Sequence, residues 1–468
     1  MKQLSLLSFL IICICNLNGN NTVTIYGQDT SYIGSDIVFY KYSDEISESE
    51  VEIARCKVTA NGMFSITFNT EETTFVFSYL GIYRVHLYAE PWNSYEIILP
   101  PRKEKELQDF LNPYFSSTIV HLATKKYDEK ELNTLIRMFN DSFLPYYNKH
   151  ILDVHNKSDF SELDKNIEKM DKPFSSSKNL FFNDYRKYRY GLLRYLAYQQ
   201  KSKSISDEYF KNQPVLFQNP AYMELFNKVY DKYFQHFSRT ESGKKIITDI
   251  AIHNLDSLRS TLSSDKVLGS GELIDLVILK GLHDEFYNDL YSRSALLAIL
   301  DTLISTTSDT QIKNTAESIR IKATKLLVGF KPPEFNLYDK DSNLVNLESL
   351  KGKYVYLNFC SCFSYACLNE FASLKTLNDK YKDKLQIVTI LLDNDENVIK
   401  SFLARSKYQW LFLHYGNQST IIKDYDIRAF PTYYLIDPDG KLALSPSPSP
   451  TEDFEAHFFK VLRARGDI

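Results

Sequence analysis

This sequence has few long apolar runs and little tryptophan, and it has no excess of positive charge. After the first 15 residues no stretch approaches the ~20 apolar residues of a membrane-spanning helix, so we expect no transmembrane segment in the mature chain. The 55 Lys and Arg are outnumbered by 59 Asp and Glu, which argues against nucleic acid as a partner. Only 2 Trp occur beside 33 Tyr and 31 Phe, and these aromatic residues predict well-filled cores.

The first residues have the pattern of an export signal. Lys2 precedes an uncharged apolar stretch from Leu4 to Cys15, which is too short to cross a bilayer but has the length of a secretory leader. We place the leader at residues 1–19, with Gly19 at the cleavage position. Its removal leaves the remaining cysteines in an oxidising compartment, where disulfides persist: Cys56, Cys360, Cys362 and Cys367.

The remaining length is enough for two to four domains, at roughly 100 to 200 residues each. Residues 20–101 alternate β-branched and aromatic residues with polar ones, and Asn61-Gly62 is a hairpin signal, so we predict an N-terminal β-sandwich. Residues 102–329 repeat apolar residues at three- and four-residue intervals, and Asn219-Pro220 is a helix start, which predicts a central all-α helical domain.

A third domain is predicted for residues 330–468, because Lys331-Pro332-Pro333 marks a boundary where a helix cannot continue. Here predicted strands and helices alternate, with a strand from Tyr354 to Cys360, a helix from Leu368 to Tyr381 and a strand from Leu385 to Leu392. This alternation is typical of an α/β sheet that is covered by helices.

Two stretches of this C-terminal region carry recognisable motifs. The first reads Asn358-Phe359-Cys360-Ser361-Cys362-Phe363-Ser364-Tyr365-Ala366-Cys367-Leu368-Asn369-Glu370, and the second runs from Ala429 to Asp437 and contains Pro431. The first resembles the active-site motif of the TlpA/ResA-type thioredoxin family, and the second is similar to the cis-proline loop of that family. The resemblance implies a C-terminal thioredoxin fold, thiol-disulfide exchange without a cofactor, thiols or disulfides of envelope proteins or small molecules as partners, and the periplasm or envelope of a Gram-negative cell.

The sequence departs from the family at its reactive position. In register, Ser364 stands where the family has its first, nucleophilic cysteine, and Cys367 stands at the second. A serine hydroxyl cannot form a disulfide, so the usual dithiol cycle is unavailable. One hypothesis is a single-cysteine Ser-x-x-Cys site, in which Cys367 is the thiolate and Ser364 is the cap donor at the start of a helix.

Two other chemical hypotheses remain open. Cys362 or Cys360 supplies the missing redox partner, although the sequence does not fix any connectivity. Alternatively, the stretch from Cys360 to Cys367 resembles a peroxiredoxin motif in which Ser364 binds the peroxide and Cys367 attacks it. Cys360 in place of that motif's proline, and Arg428 three residues before the expected arginine position, oppose this interpretation.

A non-catalytic function is the main alternative. An envelope interaction protein would use the groove beside Pro431 to bind extended peptide segments. In that case Cys367 would be a core thiol and Cys360 a packing residue. The groove would be lined by aromatic side chains, namely Phe363, Tyr365, Phe430 and Tyr433.

No metal site is expected. Cys360, Cys362 and His414 offer soft ligands, but the histidines show no paired spacing that is typical of metal binding. Asp393 and Asp395 follow a predicted strand, where a solvated loop is the ordinary expectation.

Overall fold

The computed structural model describes residues 21–468 except 107, 110, 111, 113, 114, 154–159, 198–201, 270, 394, 407, 417 and 419. The predicted leader therefore lies outside the described residues. Within the described part of the chain, the helices are too short or too polar to cross a lipid bilayer.

The N-terminal strands form two sheets that share one hydrophobic core. Sheet A has the order β4-β1-β7-β9 and sheet B the order β3-β2-β5-β6-β8. Val23 and Ile25 of sheet A meet Phe39, Val76 and Val85 of sheet B in that core. The strands are β1 (Thr22–Gln28), β2 (Asp36–Tyr42), β3 (Glu50–Lys57), β4 (Met63–Asn69), β5 (Thr74–Leu80), β6 (Tyr83–Ala89), β7 (Ser94–Ile98), β8 (Thr118–His121) and β9 (Ala123–Thr124).

Strands β8 and β9 lie in the region that the sequence predicts as helical. β8 pairs in parallel with β6, with Val85 opposite Val120. Its Thr-Ile-Val-His sequence is rich in β-branched residues, which favour a strand where a neighbouring sheet edge is available. Sheets A and B therefore include β8 and β9, which lie beyond the predicted domain boundary at residue 101.

Helices follow from residue 132 to residue 324 and pack around a core rich in aromatic rings. Helix α5 begins where the sequence predicts, because Asn219 caps it by accepting hydrogen bonds from the N–H groups of Ala221 and Tyr222. The helices are α1 (Leu132–Asp153), α2 (Phe160–Asp171), α3 (Leu180–Ala197), α4 (Ser202–Tyr209), α5 (Pro220–Val229), α6 (Tyr233–Phe237), α7 (Lys245–Ala251), α8 (Leu255–Ser263), α9 (Glu272–Asp284), α10 (Arg293–Thr306) and α11 (Thr310–Thr324).

The C-terminal region contains sheet C, with the order β11-β10-β14-β13-β12-β15-β16. β12, β13 and β14 are parallel, and β15 runs antiparallel to β12. The elements are β10 (Asn336–Asp339), β11 (Leu344–Asn346), β12 (Tyr354–Cys360), α12 (Tyr365–Tyr381), β13 (Leu385–Leu391), α13 (Glu396–Arg405), β14 (Leu411–His414), α14 (Thr420–Asp424), β15 (Thr432–Ile436), β16 (Leu442–Leu444) and α15 (Phe454–Arg465).

Strand β12 is buried on both faces of sheet C, as a parallel strand between two helix layers should be. Val355, Leu357 and Phe359 point into one core, whereas Tyr356 and Cys360 point into the other, beneath α12 and α15. The thioredoxin-like fold predicted for the C-terminal region is confirmed by this arrangement.

The segment before sheet C also pairs with the edge of that sheet. The Gly329 N–H donates to the Leu442 carbonyl at 2.8 Å, and the Leu442 N–H donates to the Phe330 carbonyl at 2.8 Å. Leu442 belongs to β16, which ends the sheet order on that side. The last residues before the C-terminal region thus continue the hydrogen bonding of its sheet.

A buried asparagine joins the first helix to sheet B. Asn133 of α1 accepts a hydrogen bond from the Tyr88 N–H at 2.7 Å and donates one to the Tyr88 carbonyl at 2.9 Å. Both groups of Tyr88 lie inside the protein, so they depend on this side chain for a partner.

Replacing Asn133 with alanine should therefore destabilise the fold. Two buried backbone groups would lose their partner, and each unsatisfied group costs about 1 to 3 kcal/mol. Chemical denaturation would measure the loss. Asn314→Ala, on the exposed face of α11, is the matched control and should change stability little. Equal stabilities for the two variants would contradict the assignment.

Candidate functional site

The candidate site lies where β12 ends and α12 begins. Ser364 is the N-cap of α12 and has an extended backbone conformation. Its hydroxyl oxygen accepts a hydrogen bond from the Cys367 N–H at 3.4 Å, which satisfies one donor of the first helical turn. The cysteine in that turn is thereby held at the positive end of the helix dipole.

Three free cysteines surround this helix start. Cys360 and Cys367 are each 0% exposed and belong to the same core, whereas Cys362 in the connecting loop is 8% exposed. The fourth cysteine in the described part of the chain, Cys56, is half-buried on β3 of sheet B. The structure therefore brings together the three C-terminal thiols that the sequence singles out.

Cys360 and Cys367 form an unequal pair. A hydrogen bond from the Cys360 thiol lowers the pKa of Cys367, and burial opposes this while the Ser364 hydroxyl and the Ser361 backbone add to it. Burial raises the pKa of Cys360 well above its usual value, and the neighbouring Cys367 raises it further. Of the two thiols, Cys367 is therefore the more easily ionised.

Asp393 lies next to the third cysteine, Cys362, and affects the pKa of its thiol. Its carboxylate accepts hydrogen bonds from the Ser361 hydroxyl at 2.7 Å and from the Cys362 N–H at 2.8 Å. Burial raises the pKa of the Cys362 thiol, and the Asp393 charge raises it further. Cys362 is therefore held in its protonated form.

The prediction of a solvated loop at Asp393 is wrong, because this residue is only 3% exposed. The reason is that the carboxyl ends of the parallel strands β12 and β13 meet at the same edge of sheet C, so the residue after β13 faces the loop after β12. An acidic residue just past a mostly apolar, buried strand is the sequence signal that could have identified Asp393 as part of the site. Asp395 is exposed and caps α13, as a loop residue would.

Behind Cys360 lie two polar side chains, Asn358, for which the sequence predicts no role in the site, and Tyr433. The Asn358 side chain donates to the Cys360 sulfur at 3.4 Å. Within the described residues, the Asn358 side-chain oxygen and the Tyr433 hydroxyl are buried without a hydrogen-bond partner. Tyr433 stacks on Tyr356, with ring centroids 5.0 Å apart, so its predicted place in a surface groove is wrong.

The other predicted groove residues lie at the surface beside the thiols. Phe363 is 74% exposed and Tyr365 is 78% exposed. Phe430 and Pro431 are half-buried, and the peptide bond between them is cis. An aromatic surface therefore flanks the buried sulfurs.

The sequence offers Arg428 for a peroxidatic site and His414 for a metal site. Arg428 forms an ion pair with Asp426 at 2.9 Å and is mostly exposed, so it does not provide the buried arginine that a peroxidatic site requires. The His414 ring nitrogen donates to the Asp393 carbonyl at 3.1 Å. Among the described residues, no group of three or more Cys, His, Asp and Glu side chains is arranged to hold a metal ion.

Known proteins share the C-terminal region. Residues 327–455 match the Redoxin family. The thiol-disulfide oxidoreductase ResA of Bacillus cereus is 33% identical over 120 residues, which cover 25% of this chain and 68% of that protein. The thioredoxin-like protein YneN of Bacillus subtilis is 29% identical over 113 residues, which cover 24% of this chain and 66% of that protein. The thioredoxin domain of a thiol-disulfide oxidoreductase from Bacteroides vulgatus is 24% identical, covers 29% of this chain and 98% of that chain, and has a TM-score of 0.27.

Ser364→Ala should raise the pKa of Cys367, since the thiolate would lose a hydrogen bond and the helix its cap. The pH midpoint of Cys367 alkylation should move upward, and stability should fall by about 1 kcal/mol. Asn219→Ala removes a comparable cap from α5 and should lower stability without moving the Cys367 midpoint. An unchanged midpoint in Ser364→Ala would rule out the contribution of this hydroxyl.

Proposed function

The chain belongs to the TlpA/ResA-type thiol-disulfide oxidoreductase family through its C-terminal region, and we propose that it performs thiol-disulfide exchange with Cys367 as the attacking thiolate and Cys360 as its redox partner. The observation that carries the proposal is that these two buried thiols share one core and shift each other's pKa in opposite directions. In this assignment Ser364 keeps the position of the family's first cysteine but acts only as the helix cap.

The proposed reaction is a balanced transfer of two electrons. The Cys367 thiolate attacks one sulfur of a client disulfide, forming a mixed disulfide, and the other client sulfur leaves as a thiolate. The Cys360 thiol gives its proton to the client thiolate that has just left, and its sulfur then attacks the Cys367 sulfur. The Cys360–Cys367 disulfide forms, and the client sulfur that was bound to Cys367 leaves as a thiolate, so both client sulfurs are now reduced. A dithiol reductant returns the protein to its starting state.

Access to the sulfur is a requirement of this proposal. Because Cys367 is fully buried, the loop from Ser361 to Ser364 must move aside before a client sulfur reaches it. The exposed side chains of Phe363 and Tyr365 stand on either side of Ser364 in the sequence and would contact the client first. Burial thus restricts exchange to partners that displace this loop.

The proposed location and domain organisation come from the sequence pattern. The apolar stretch from Leu4 to Cys15 supports export through a leader at residues 1–19, to the periplasm or envelope of a Gram-negative cell. We propose a β-sandwich domain that starts at residue 20 and extends past the expected residue 101 to include β8 and β9, then a helical domain up to residue 329 and the thioredoxin-like domain at 330–468. The hydrophobic cores support this division, with Ile46 and Tyr88 of the strand region packing into the core of the helices.

A second candidate function is binding without chemistry. It is favoured by the complete burial of Cys360 and Cys367 together with the exposure of Phe363 and Tyr365. In that case the aromatic surface beside Pro431 would hold an extended peptide segment of an envelope protein, and both thiols would be core residues.

Titration in buffers of defined dithiol and disulfide ratio distinguishes the two functions. We expect one internal disulfide between Cys360 and Cys367, identified by mass spectrometry of the alkylated protein. Cys367→Ala should reduce exchange with a small disulfide to the uncatalysed rate. Cys360→Ala should accumulate a mixed disulfide on Cys367, because the resolving thiol is missing.

Cys56→Ala is the matched control, since it removes a cysteine of sheet B and should leave exchange unchanged. If Cys360 and Cys367 stay reduced at every ratio and Cys367→Ala exchanges like the parent protein, the binding function replaces the catalytic one.

A further inference from the structure

The site contains three thiols, but a dithiol cycle needs two, and the third would compete if it ionised. Cys362 lies only two residues from Cys360 and is the least buried of the three. A free thiolate at this position would attack the mixed disulfide or form the wrong internal disulfide. Some feature of the site must therefore keep Cys362 out of the reaction.

We propose that Asp393 is a positioning residue that selects the reactive thiols, because its buried carboxylate accepts hydrogen bonds from the Ser361 hydroxyl and the Cys362 N–H and so places a negative charge beside Cys362. The inference rests on the proposed function, which it deepens by explaining how Cys367 and Cys360 are chosen. Asp393 itself does not contact a client in this assignment.

The first part of the argument is electrostatic. A buried negative charge beside a thiol disfavours a second negative charge, so the thiol keeps its proton. The Asp393 carboxylate holds the Cys362 N–H at 2.8 Å, which fixes the thiol of the same residue beside that charge. The pKa of Cys362 is raised by burial first and by Asp393 next. The same carboxylate also raises the pKa of Cys367, but there three hydrogen bonds outweigh it.

The second part is geometric. Asp393 accepts from the Ser361 hydroxyl at 2.7 Å, and the same hydroxyl oxygen accepts from the Phe363 N–H at 3.2 Å. The Ser361 backbone in turn lowers the pKa of Cys367 by hydrogen bonding to it. One carboxylate thus suppresses ionisation of Cys362 and holds in place a group that favours ionisation of Cys367.

Other titratable groups also face Asp393. They come from the strands and loops around it and are the thiols of Cys360, Cys362 and Cys367, the Tyr415 hydroxyl and the His414 ring. A pH profile must therefore be resolved residue by residue, since the total thiol titration mixes several groups.

The test is the pH dependence of iodoacetamide labelling of each cysteine, read by mass spectrometry on the full-length protein. Asp393→Asn keeps the shape but removes the charge. The labelling midpoint of Cys362 should fall by at least one pH unit, which corresponds to about tenfold more thiolate below both midpoints. The Cys367 midpoint should fall less than that of Cys362, because other groups already hold its thiolate.

Asp395→Asn is the matched control, because it removes a nearby exposed carboxylate and should leave the Cys362 midpoint unchanged. A Cys362 midpoint in folded Asp393→Asn equal to that of the parent protein would overturn the proposal. A parallel rise in labelling of all three thiols would also overturn it, since that indicates loosened packing rather than selection.

A measurement on the unmodified protein covers the case in which Asp393→Asn does not fold. Cys362 must then have a higher labelling midpoint than Cys367, and the reverse order would exclude the inference. The labelling midpoints test the effect of Asp393 independently of whether the protein catalyses thiol-disulfide exchange. If the Cys360–Cys367 disulfide never forms, exchange fails as the function, yet the Cys362 midpoint still reports on Asp393.

Discussion

The burial of β12 on both faces is the constraint from which the thiol site follows. A strand with no solvent-facing side must place alternate residues in two cores, so Cys360 faces the helix that begins five residues later. The first turn of that helix brings Cys367 to the same core. The two thiols therefore share one core because of the strand periodicity and the position of the helix start, both of which are properties of the fold.

Hydrogen bonding decides how the buried thiols differ. Burial alone would raise the pKa of every thiol in the site, since a charged sulfur is poorly solvated inside a protein. The pKa of Cys367 is nevertheless lowered, because its sulfur receives hydrogen bonds from a neighbouring thiol, a serine hydroxyl and a backbone group. Cys362 has a carboxylate beside it instead. Three chemically identical side chains within eight residues thus acquire different tendencies to ionise.

The sequence was sufficient for local features of this site and insufficient for those that depend on neighbouring strands. The cap at Ser364 and the strand that ends at Cys360 follow from residue type and spacing along the chain. Asp393 and Tyr433 were misjudged because their surroundings come from strands that are distant in sequence. β8 was missed for a similar reason, since four residues form a strand only where β6 offers an edge.

The pairing of Gly329 and Phe330 with Leu442 determines where the C-terminal region can be separated from the rest of the chain. A fragment that starts at the predicted boundary, residue 330, would lack the Gly329 N–H that pairs with Leu442 and would have Phe330, the other partner, as its first residue, so the β16 edge would be left partly open. Open edges pair readily with strands of other molecules, which leads to self-association. The preceding segment therefore acts as a cover for the thioredoxin-like sheet, and an autonomous fragment needs to include it.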